Sequence, residues 1–310
     1  MNRVKTFPFW RKQYLFHPEA TSNVTLLKIY HPYHPMAKLN WWIWKKINLY
    51  QKLFTFKLND DSKLFQVIDR FIDSDPDYVW AINRGTECIY QKTTGLIISG
   101  NSSKKPDKAF FFKWGDSTLA ISAIKNEIMI NNDIKHYSFA PKMLESYSNE
   151  NEAFYTTEVI QGTKYTSLTI TKDVLSLIRE IQMLQPIQTI NYCLSKTLIK
   201  SFQHGDFCPW NLIQEDETNI IKVIDWEFCG IYPKGFDLLY YIFSVEFQVK
   251  KNYMPEDIIS ENYFIINSYY NELGIKDWKP YLKETAEICS IRYVNTTEGD
   301  NFLKLFNYCN

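Results

Sequence analysis

Two aspartates and an asparagine in the second half of the chain have types and spacing that suit phosphate chemistry. Asp206 and Asn211 lie five residues apart in the run HGDFCPWN, and Asp225 directly follows an apolar run at residues 220–224. Phosphoryl transfer requires a carboxylate that orients and deprotonates the attacking hydroxyl, and oxygen ligands for a Mg²⁺ ion that bridges the phosphates. Asp206 suits the first role. Asn211 and Asp225 suit the second, because amide and carboxylate oxygens are both hard donors.

The elements that must position these groups begin with a predicted antiparallel sheet. Four apolar, β-prone runs bounded by turn residues predict strands, at residues 78–82, 91–99, 109–112 and 154–160. Between the third and fourth runs, Ile121, Ile124 and Ile128 have the spacing of one helix face, with Ser117 or Thr118 as the N-cap. We therefore expect a sheet with one helix.

The remainder of the chain is predicted to be mostly helical. Apolar residues recur at helical spacing from Thr171 until Pro186 stops the pattern, a further helix is expected over residues 191–201, and helices dominate after residue 235. Strands with one helix, followed by helices, indicate an α+β chain with a sheet-rich N-terminal lobe and a helical C-terminal lobe.

Composition narrows the function classes. The chain has 310 residues, of which 45% are apolar and 23% charged, and its net charge is zero. A nucleic-acid-binding protein would normally be basic, so we expect no nucleic-acid partner. The six cysteines lack zinc-type spacing, and no uncharged apolar stretch approaches the roughly 18 residues of a membrane span. We expect a cytoplasmic protein.

The N-terminal residues are basic and aromatic. Residues 1–70 contain 12 Lys and Arg against 4 Asp and Glu, and residues 41–54 read WWIWKKINLYQKLF. Residues 41–54 could contact an anionic membrane surface, or their apolar side chains could pack on the protein while the lysines stay in water. We favour packing, with residues 1–77 as an extension on the small lobe.

The motifs HGDxxxxN and, after a strand, IDWE resemble those of the aminoglycoside phosphotransferase and choline kinase group. These enzymes are relatives of the protein kinases, which have HRDxxxxN and DFG at the same places. The resemblance implies a bilobal, protein kinase-like fold that uses ATP and Mg²⁺, with a nucleotide-binding N-lobe at 78–162 and a helical C-lobe at 163–310 that carries the catalytic loop and the substrate site. The HGDFxPWN form is most similar to phosphotransferase-like proteins of bacterial surface-polysaccharide gene sets.

The resemblance also implies nucleotide-binding roles in the first lobe. Lys113, at the end of the third strand, would hold the phosphates, and Glu127 on the following helix would pair with it. Gly85 and Thr86 lie where the phosphate-covering loop is expected. The chain has a single glycine there in place of the glycine-rich form of the protein kinases.

Four further residues receive roles by the same resemblance. Glu158 and Ile160 lie in the stretch that joins the two lobes, where backbone groups would bind adenine. His204 and Asp237 would support the catalytic loop through structure, with Asp237 as its brace.

The sequence thus predicts an ATP-dependent kinase that phosphorylates a hydroxyl of a small, sugar-like acceptor. Residues 246–310, where the acceptor would be chosen, hold 10 Asp and Glu against 7 Lys and Arg. This excess is too mild to require a cationic acceptor, although an aminoglycoside- or choline-type kinase is an alternative. A non-catalytic nucleotide-binding or scaffold protein is a further alternative, which the joint presence of the predicted phosphate, metal and base residues disfavours.

Overall fold

The structure is a computed structural model. It describes residues 3–7, 13–17, 20, 26, 29–30, 35–46, 55–57, 66, 78–85, 91–99 and 108–310. The chain forms two compact units: Met1–Ile128 with Pro141–Val159, and Met129–Ala140 with Ile160–Asn310.

The first unit is built on an eight-stranded sheet in which every neighbouring pair is antiparallel. Its spatial order is β3-β1-β2-β4-β5-β6-β8-β7. The strands are β1 (Arg3–Phe7), β2 (Tyr14–Phe16), β3 (Thr55–Lys57), β4 (Tyr78–Asn83), β5 (Thr93–Ser99), β6 (Lys108–Gly115), β7 (Met143–Ser148) and β8 (Ala153–Glu158). The sheet predicted from the apolar runs is confirmed, and so is its antiparallel arrangement.

Helix α1 (Pro35–Lys46) packs on this sheet through two of its three tryptophans. Trp41 and Trp44 are buried beside Phe7 and Phe16 in one apolar cluster, whereas Trp42 is 56% exposed. The indole N–H of Trp44 donates to the carbonyl oxygen of β1 residue Thr6 at 3.1 Å. Of the stretch 41–54, which was predicted to pack or to meet a membrane, residues 47–54 lie outside the described part.

Helix α2 (Thr118–Ile134) begins as predicted. The side-chain oxygen of Ser117 accepts the N–H of Ala120 at 3.2 Å, which satisfies one of the donors that a helix N-terminus leaves without a partner. Ile121 and Ile124 are buried against Tyr155 of β8. The predicted apolar stripe is therefore the face with which the helix packs on the sheet.

The second unit is mainly helical, with two small antiparallel sheets, β10-β13 and β12-β11-β9. Its helices are α3 (Lys172–Gln182), α4 (Phe236–Ser244), α5 (Pro255–Glu272), α6 (Lys279–Arg292) and α7 (Thr297–Tyr308). Its strands are β9 (Gly162–Lys164), β10 (Lys200–Gln203), β11 (Leu212–Glu215), β12 (Ile221–Val223) and β13 (Gly230–Pro233). The side-chain oxygen of Thr171 caps α3, as expected from the sequence. Among the described residues, no helix is both long and apolar enough to span a membrane.

The helix predicted over residues 191–201 is wrong, because residues 192–199 form a loop that leads into β10. Polar side chains offer this backbone other partners than a helical ladder. Ser195 Oγ accepts the N–H groups of Thr197 and Leu198 at 3.1 and 3.3 Å. One oxygen of Glu284, on α6, accepts the N–H groups of Leu194 and Ser195 at 2.8 and 2.9 Å. Local apolar spacing carries no information on this distant carboxylate.

We predict that Trp44→Ala lowers the free energy of unfolding by about 3–5 kcal/mol, because it opens a cavity among aromatic rings and removes the hydrogen bond to the Thr6 carbonyl. Trp42→Ala, on the exposed side of the same helix, should change it by no more than about 0.5 kcal/mol. Urea denaturation followed by circular dichroism measures both values. Equal losses in the two variants would show that α1 does not depend on its buried face.

Candidate active site

In the first unit, Lys113 and Glu127 form a buried ion pair. Lys113 Nζ lies 2.7 Å from Glu127 Oε2, and the two residues are only 4% and 1% exposed. The hydroxyl of Tyr155 donates to the other oxygen of Glu127 at 2.7 Å. A buried ion pair is costly unless its remaining polar atoms are satisfied, and Tyr155 supplies a second donor to the carboxylate. The ammonium group of Lys113 is thus held in one place.

Strand geometry explains why Lys113 meets Tyr155. Neighbouring residues of a strand point to opposite faces of the sheet. Phe112 therefore enters an apolar cluster on one face, and Lys113 lies on the other, directly across from Tyr155 of β8 in the antiparallel register. Tyr155 was not predicted from the sequence, since its pairing with Lys113 depends on the order of strands in the sheet.

The turn after β4 contains Gly85. Its φ of +72° is in the left-handed region, and a Cβ at this position would lie 2.3 Å from the carbonyl oxygen of Lys92. The backbone therefore requires glycine here whether or not a phosphate binds. Thr86, the other residue predicted to cover the phosphates, lies outside the described residues.

Glu158 ends strand β8, and the chain passes from the first unit to the second between Val159 and Ile160. The exposed carboxylate of Glu158 lies 2.5 Å from Lys142 Nζ. Ile160 is partly buried and lies outside the strands. The adenine-binding role of Glu158 and Ile160 remains a prediction.

In the second unit, the fully buried carboxyl group of Asp237 anchors the loop that carries Asp206. Its two oxygens accept the backbone N–H groups of His204 and Gly205, at 2.7 and 2.9 Å. The N–H of Asp237 itself donates to the side-chain oxygen of Gln203 at 3.1 Å. Burial raises the pKa of Asp237 to about 7, against the lowering effect of the two backbone hydrogen bonds. The carboxyl thereby fixes the backbone immediately before Asp206.

The ring of His204 connects this loop to the residue before Asp225. His204 Nε2 lies 3.0 Å from the carbonyl oxygen of Ile224, and Nδ1 accepts the N–H of Asp206 at 3.2 Å. An accepting Nδ1 and a carbonyl partner at Nε2 assign the neutral tautomer, with the proton on Nε2. His204 therefore ties together the backbones that carry the two aspartates.

Gly205 is required by the shape of the same loop. Its φ is +82°, and a Cβ would lie 2.2 Å from the carbonyl oxygen of Phe228 and 2.8 Å from the hydroxyl of Tyr232. Both neighbours belong to the chain just after Asp225. A larger residue would have to push that chain away.

Asn211 is bound directly to Asp206. Its side-chain N–H₂ donates to the carbonyl oxygen of Asp206 at 2.9 Å and to Asp206 Oδ2 at 2.8 Å. With the amide nitrogen used in this way, the side-chain oxygen of Asn211 is the atom that could ligate a metal. The backbone carbonyl of Asn211 accepts the N–H of Ile224 at 2.9 Å, which links the loop to the segment that ends at Asp225.

Asp225 has a left-handed backbone, with φ 69° and ψ 56°. This conformation is uncommon for a residue other than glycine, and such strain is concentrated at functional sites. A carboxylate oxygen of Glu227, two residues on, lies within 4.8 Å of one of Asp225. Glu227 is a further possible oxygen ligand, which the sequence analysis did not single out although it stands in the IDWE motif.

The electrostatics of this site favour a cation. Burial raises the pKa of Asp206 to about 6, and the negative charge of Asp225 adds to the effect. The two carboxylates therefore interact unfavourably when both are ionised. A divalent cation between oxygen donors of this kind would remove that repulsion.

Four residues near Asp206 were missed by the sequence analysis: Tyr240, Arg292, Tyr293 and Glu298. The hydroxyl of Tyr293 donates to Asp206 Oδ1 at 3.5 Å, and the hydroxyls of Tyr240 and Tyr293 are 2.8 Å apart. Burial raises the pKa of Glu298 to about 7, with the charge of Asp206 as the next cause. No local motif marks these residues, because they come from helices later in the chain.

The structure thus groups the predicted residues in two sets. Asp206, Asn211 and Asp225 lie with their supporting residues in the second unit, and Lys113 is paired with Glu127 in the first.

Residues 172–255, which include the second-unit set, match the family model described as the phosphotransferase enzyme family. Over this segment the chain is similar to that family. The predicted resemblance is confirmed by this match.

A solved phosphotransferase structure has a similar fold. A thermostable mutant of the aminoglycoside phosphotransferase APH(4)-Ia, in a ternary complex with ADP and hygromycin B, matches with a TM-score of 0.50 and 12% identity, over 80% of this chain and 97% of that chain. The aminoglycoside phosphotransferase APH(3'')-Id from Streptomyces rimosus matches with a TM-score of 0.47 and 11% identity, over 78% of this chain and 97% of that chain. No curated protein matches the chain. The predicted α+β, kinase-like fold is confirmed.

We predict that Glu298→Gln changes the pH dependence of stability. The folded-state pKa of about 7 lies above the ordinary value of 4.5, so the folded protein holds this proton more tightly than the unfolded chain. The stability that the tightly held proton of Glu298 contributes is present in full below pH 4.5, and it is lost as the pH rises through 7. The slope is no more than about 1.4 kcal/mol per pH unit.

Urea denaturation at pH 5 and pH 7.5 measures this effect. Relative to Glu298→Gln, the wild type should lose about 1 kcal/mol or more of stability between the two pH values. Glu261→Gln, at an exposed position of α5, is the control. Its free energy of unfolding should differ from that of the wild type by the same amount at both pH values. A constant difference for Glu298→Gln as well would contradict the raised pKa.

Proposed function

We propose that the protein is an ATP-dependent small-molecule kinase that transfers the γ-phosphate of ATP to a hydroxyl group of a sugar or sugar-like acceptor. The observation that carries the proposal is the hydrogen-bonded pair of Asp206 and Asn211, which is tied through the backbone of Ile224 to the neighbouring Asp225. A base and two oxygen donors are held by one loop and one strand end, which is the minimum that phosphoryl transfer requires.

Asp206 is the proposed catalytic residue. Its pKa of about 6 leaves it mostly ionised near neutral pH yet basic enough to accept a proton from the acceptor hydroxyl as that oxygen attacks. Asn211 donates to Oδ2 of Asp206 at 2.8 Å, whereas Tyr293 donates to Oδ1 at the longer distance of 3.5 Å. We therefore assign the acceptor hydroxyl to Oδ1. Asp237 and His204 act by fixing the backbone of Asp206.

Asn211 and Asp225 are the proposed ligands of Mg²⁺. The donor set fits this ion, because an amide oxygen and a carboxylate are hard ligands and the charge of Asp225 opposes that of Asp206 until a cation is bound. Bound Mg²⁺·ATP supplies the phosphoryl group and neutralises the charge that develops during its transfer. Asp225 lies two residues beyond strand β12, in a left-handed backbone conformation.

Lys113 is the proposed phosphate-binding cation. Glu127 and Tyr155 limit the positions that its ammonium can adopt, which reduces the entropy lost when a phosphate binds. We assign Gly85 and Thr86 to the phosphate-covering turn, and the backbone of Glu158 and Ile160 to adenine. ATP is abundant in the cytoplasm, where we place the protein.

The proposed acceptor is a sugar-like hydroxyl compound. A structurally similar protein was solved with hygromycin B and ADP, so aminoglycosides are the natural comparison. Only the mild acidic excess of residues 246–310 bears on the choice, and it does not require a cation. A screen of neutral sugars, amino alcohols and aminoglycosides with labelled ATP tests the assignment. Transfer to cationic acceptors alone would replace it with an aminoglycoside- or choline-type kinase.

We predict different defects for Asp206→Asn and Asp225→Asn. Loss of the base acts only as the hydroxyl attacks, so Asp206→Asn should lower kcat by about 10²–10⁴-fold with little change in the Kd of Mg²⁺·ATP. Loss of the metal ligand acts in the ground state too, so Asp225→Asn should weaken Mg²⁺·ATP binding. Turnover of ATP and its Mg²⁺-dependent thermal stabilisation of the protein measure the two effects.

Asp216→Asn, in the turn after β11, is the control for both substitutions and should behave as the wild type. Equal losses of nucleotide affinity in Asp206→Asn and Asp225→Asn would show that the roles are wrongly assigned. A wild type that binds Mg²⁺·ATP but never turns it over, with any acceptor or with water, would favour the non-catalytic alternative.

A further inference from the structure

Arg292 contacts the catalytic loop from outside the matched segment. It is the last residue of α6, 87 residues beyond Gly205 in sequence. One terminal nitrogen, Nη1, donates to the carbonyl oxygen of Gly205 at 2.5 Å, and the other, Nη2, donates to the hydroxyl of Tyr232. Residues 172–255 match the phosphotransferase family, so Arg292 is a feature that this match does not assign.

The carbonyl that Arg292 binds belongs to the peptide group between Gly205 and Asp206. The N–H of the same peptide group donates to His204 Nδ1 at 3.2 Å. Because a peptide group is planar, two contacts at its opposite edges fix its orientation. That orientation sets the backbone from which the Asp206 side chain departs. Asp237 holds the preceding N–H of Gly205, but it makes no contact with this carbonyl in the hydrogen bonds of the described residues.

Aromatic rings surround the guanidinium. Its central carbon lies 4.6 Å from the ring centroid of Phe228 and 5.5 Å from that of Tyr232. Tyr192, Phe236 and Tyr293 also present rings, at 5.7, 5.8 and 5.9 Å. Ring faces attract a guanidinium and hold its plane without an anionic partner. Within the described part of the chain, no carboxylate lies within ion-pair distance of Arg292.

These contacts suit an arginine better than a lysine. A planar guanidinium can donate to two acceptors at fixed angles while its faces stack on rings, whereas the ammonium of lysine is a point charge without a plane. The hydroxyl of Tyr232 in turn donates to the carbonyl oxygen of Phe228 at 2.6 Å. The guanidinium therefore joins the residue before Asp206 to the chain that follows Asp225.

We propose that Arg292 is a positioning residue, which holds the Gly205–Asp206 peptide group so that the Asp206 carboxylate stays aligned for phosphoryl transfer. The inference rests on the proposed kinase function for its effect on turnover. Its structural part, the restraint of the loop by Arg292, does not depend on that function. A displacement of about 1 Å in a catalytic group can cost about a hundredfold in rate, whereas nucleotide binding is not expected to change.

Kinetics test the catalytic part. In the full chain, Arg292→Ala should lower kcat for Mg²⁺·ATP turnover about a hundredfold, and Arg292→Lys about tenfold, with KM for Mg²⁺·ATP within about twofold of the wild type. Added guanidinium at millimolar concentration should restore part of the Arg292→Ala activity, which general loss of structure would not allow. Arg179→Lys is the matched control, because Arg179 also lies in the last turn of a helix, stacks on the ring of Tyr269 and pairs with Glu272 on the surface.

Hydrogen exchange tests the restraint directly, even if Arg292→Ala fails to fold. In Arg292→Lys, the backbone amides of residues 204–207 should exchange faster than in the wild type, while those of α3 and α5 keep their rates. Unchanged exchange at residues 204–207, or an unchanged kcat in an active enzyme, overturns the proposal. If the wild type shows no turnover of ATP, the proposed function fails, and the exchange result alone then decides whether Arg292 restrains the loop.

Discussion

The buried carboxyl group of Asp237 holds in place the backbone on which the proposed chemistry depends. It accepts two consecutive backbone N–H groups, and its own N–H is held by Gln203. A carboxyl without solvent contact is costly unless such donors satisfy it, so helix α4 and the loop before Asp206 stabilise each other. The left-handed turn at Gly205 and the contacts of His204 follow from this anchor. The turn at Gly205 shapes the loop, and His204 couples the loop to the backbone just before Asp225.

The first unit applies the same principle with different groups. Glu127 receives one donor from Lys113 and one from Tyr155, and each donor comes from a separate strand of the sheet. Burial makes each contact stronger and each missing partner more costly. In both units a single carboxylate with two well-placed donors therefore fixes a functional side chain. In the first unit the fixed group is a cation suited to phosphate, and in the second it is the proposed base beside the proposed metal ligands.

The part of the candidate site that could be predicted from the sequence is encoded locally. Asp206, Asn211 and Asp225 stand in short motifs, and the strands and helices around them follow from apolar spacing and from caps such as Thr171. Prediction from the sequence failed where distant parts of the chain decide the outcome. Glu284 turns residues 191–199 away from a helix, and Arg292 reaches Gly205 from a helix end that carries no motif. The left-handed backbone of Asp225 also has no sequence signal, because only glycine adopts it freely.

The most direct test of the central claim is a calorimetric titration of the full chain with ATP, in the presence and in the absence of Mg²⁺. If Asn211 and Asp225 ligate a metal that bridges the phosphates, one nucleotide should bind per chain, and removal of Mg²⁺ with a chelator should weaken the binding at least tenfold. Asp225→Asn should lose most of this dependence on Mg²⁺. Binding of equal strength with and without the ion, or no binding of nucleotide under either condition, would contradict the account.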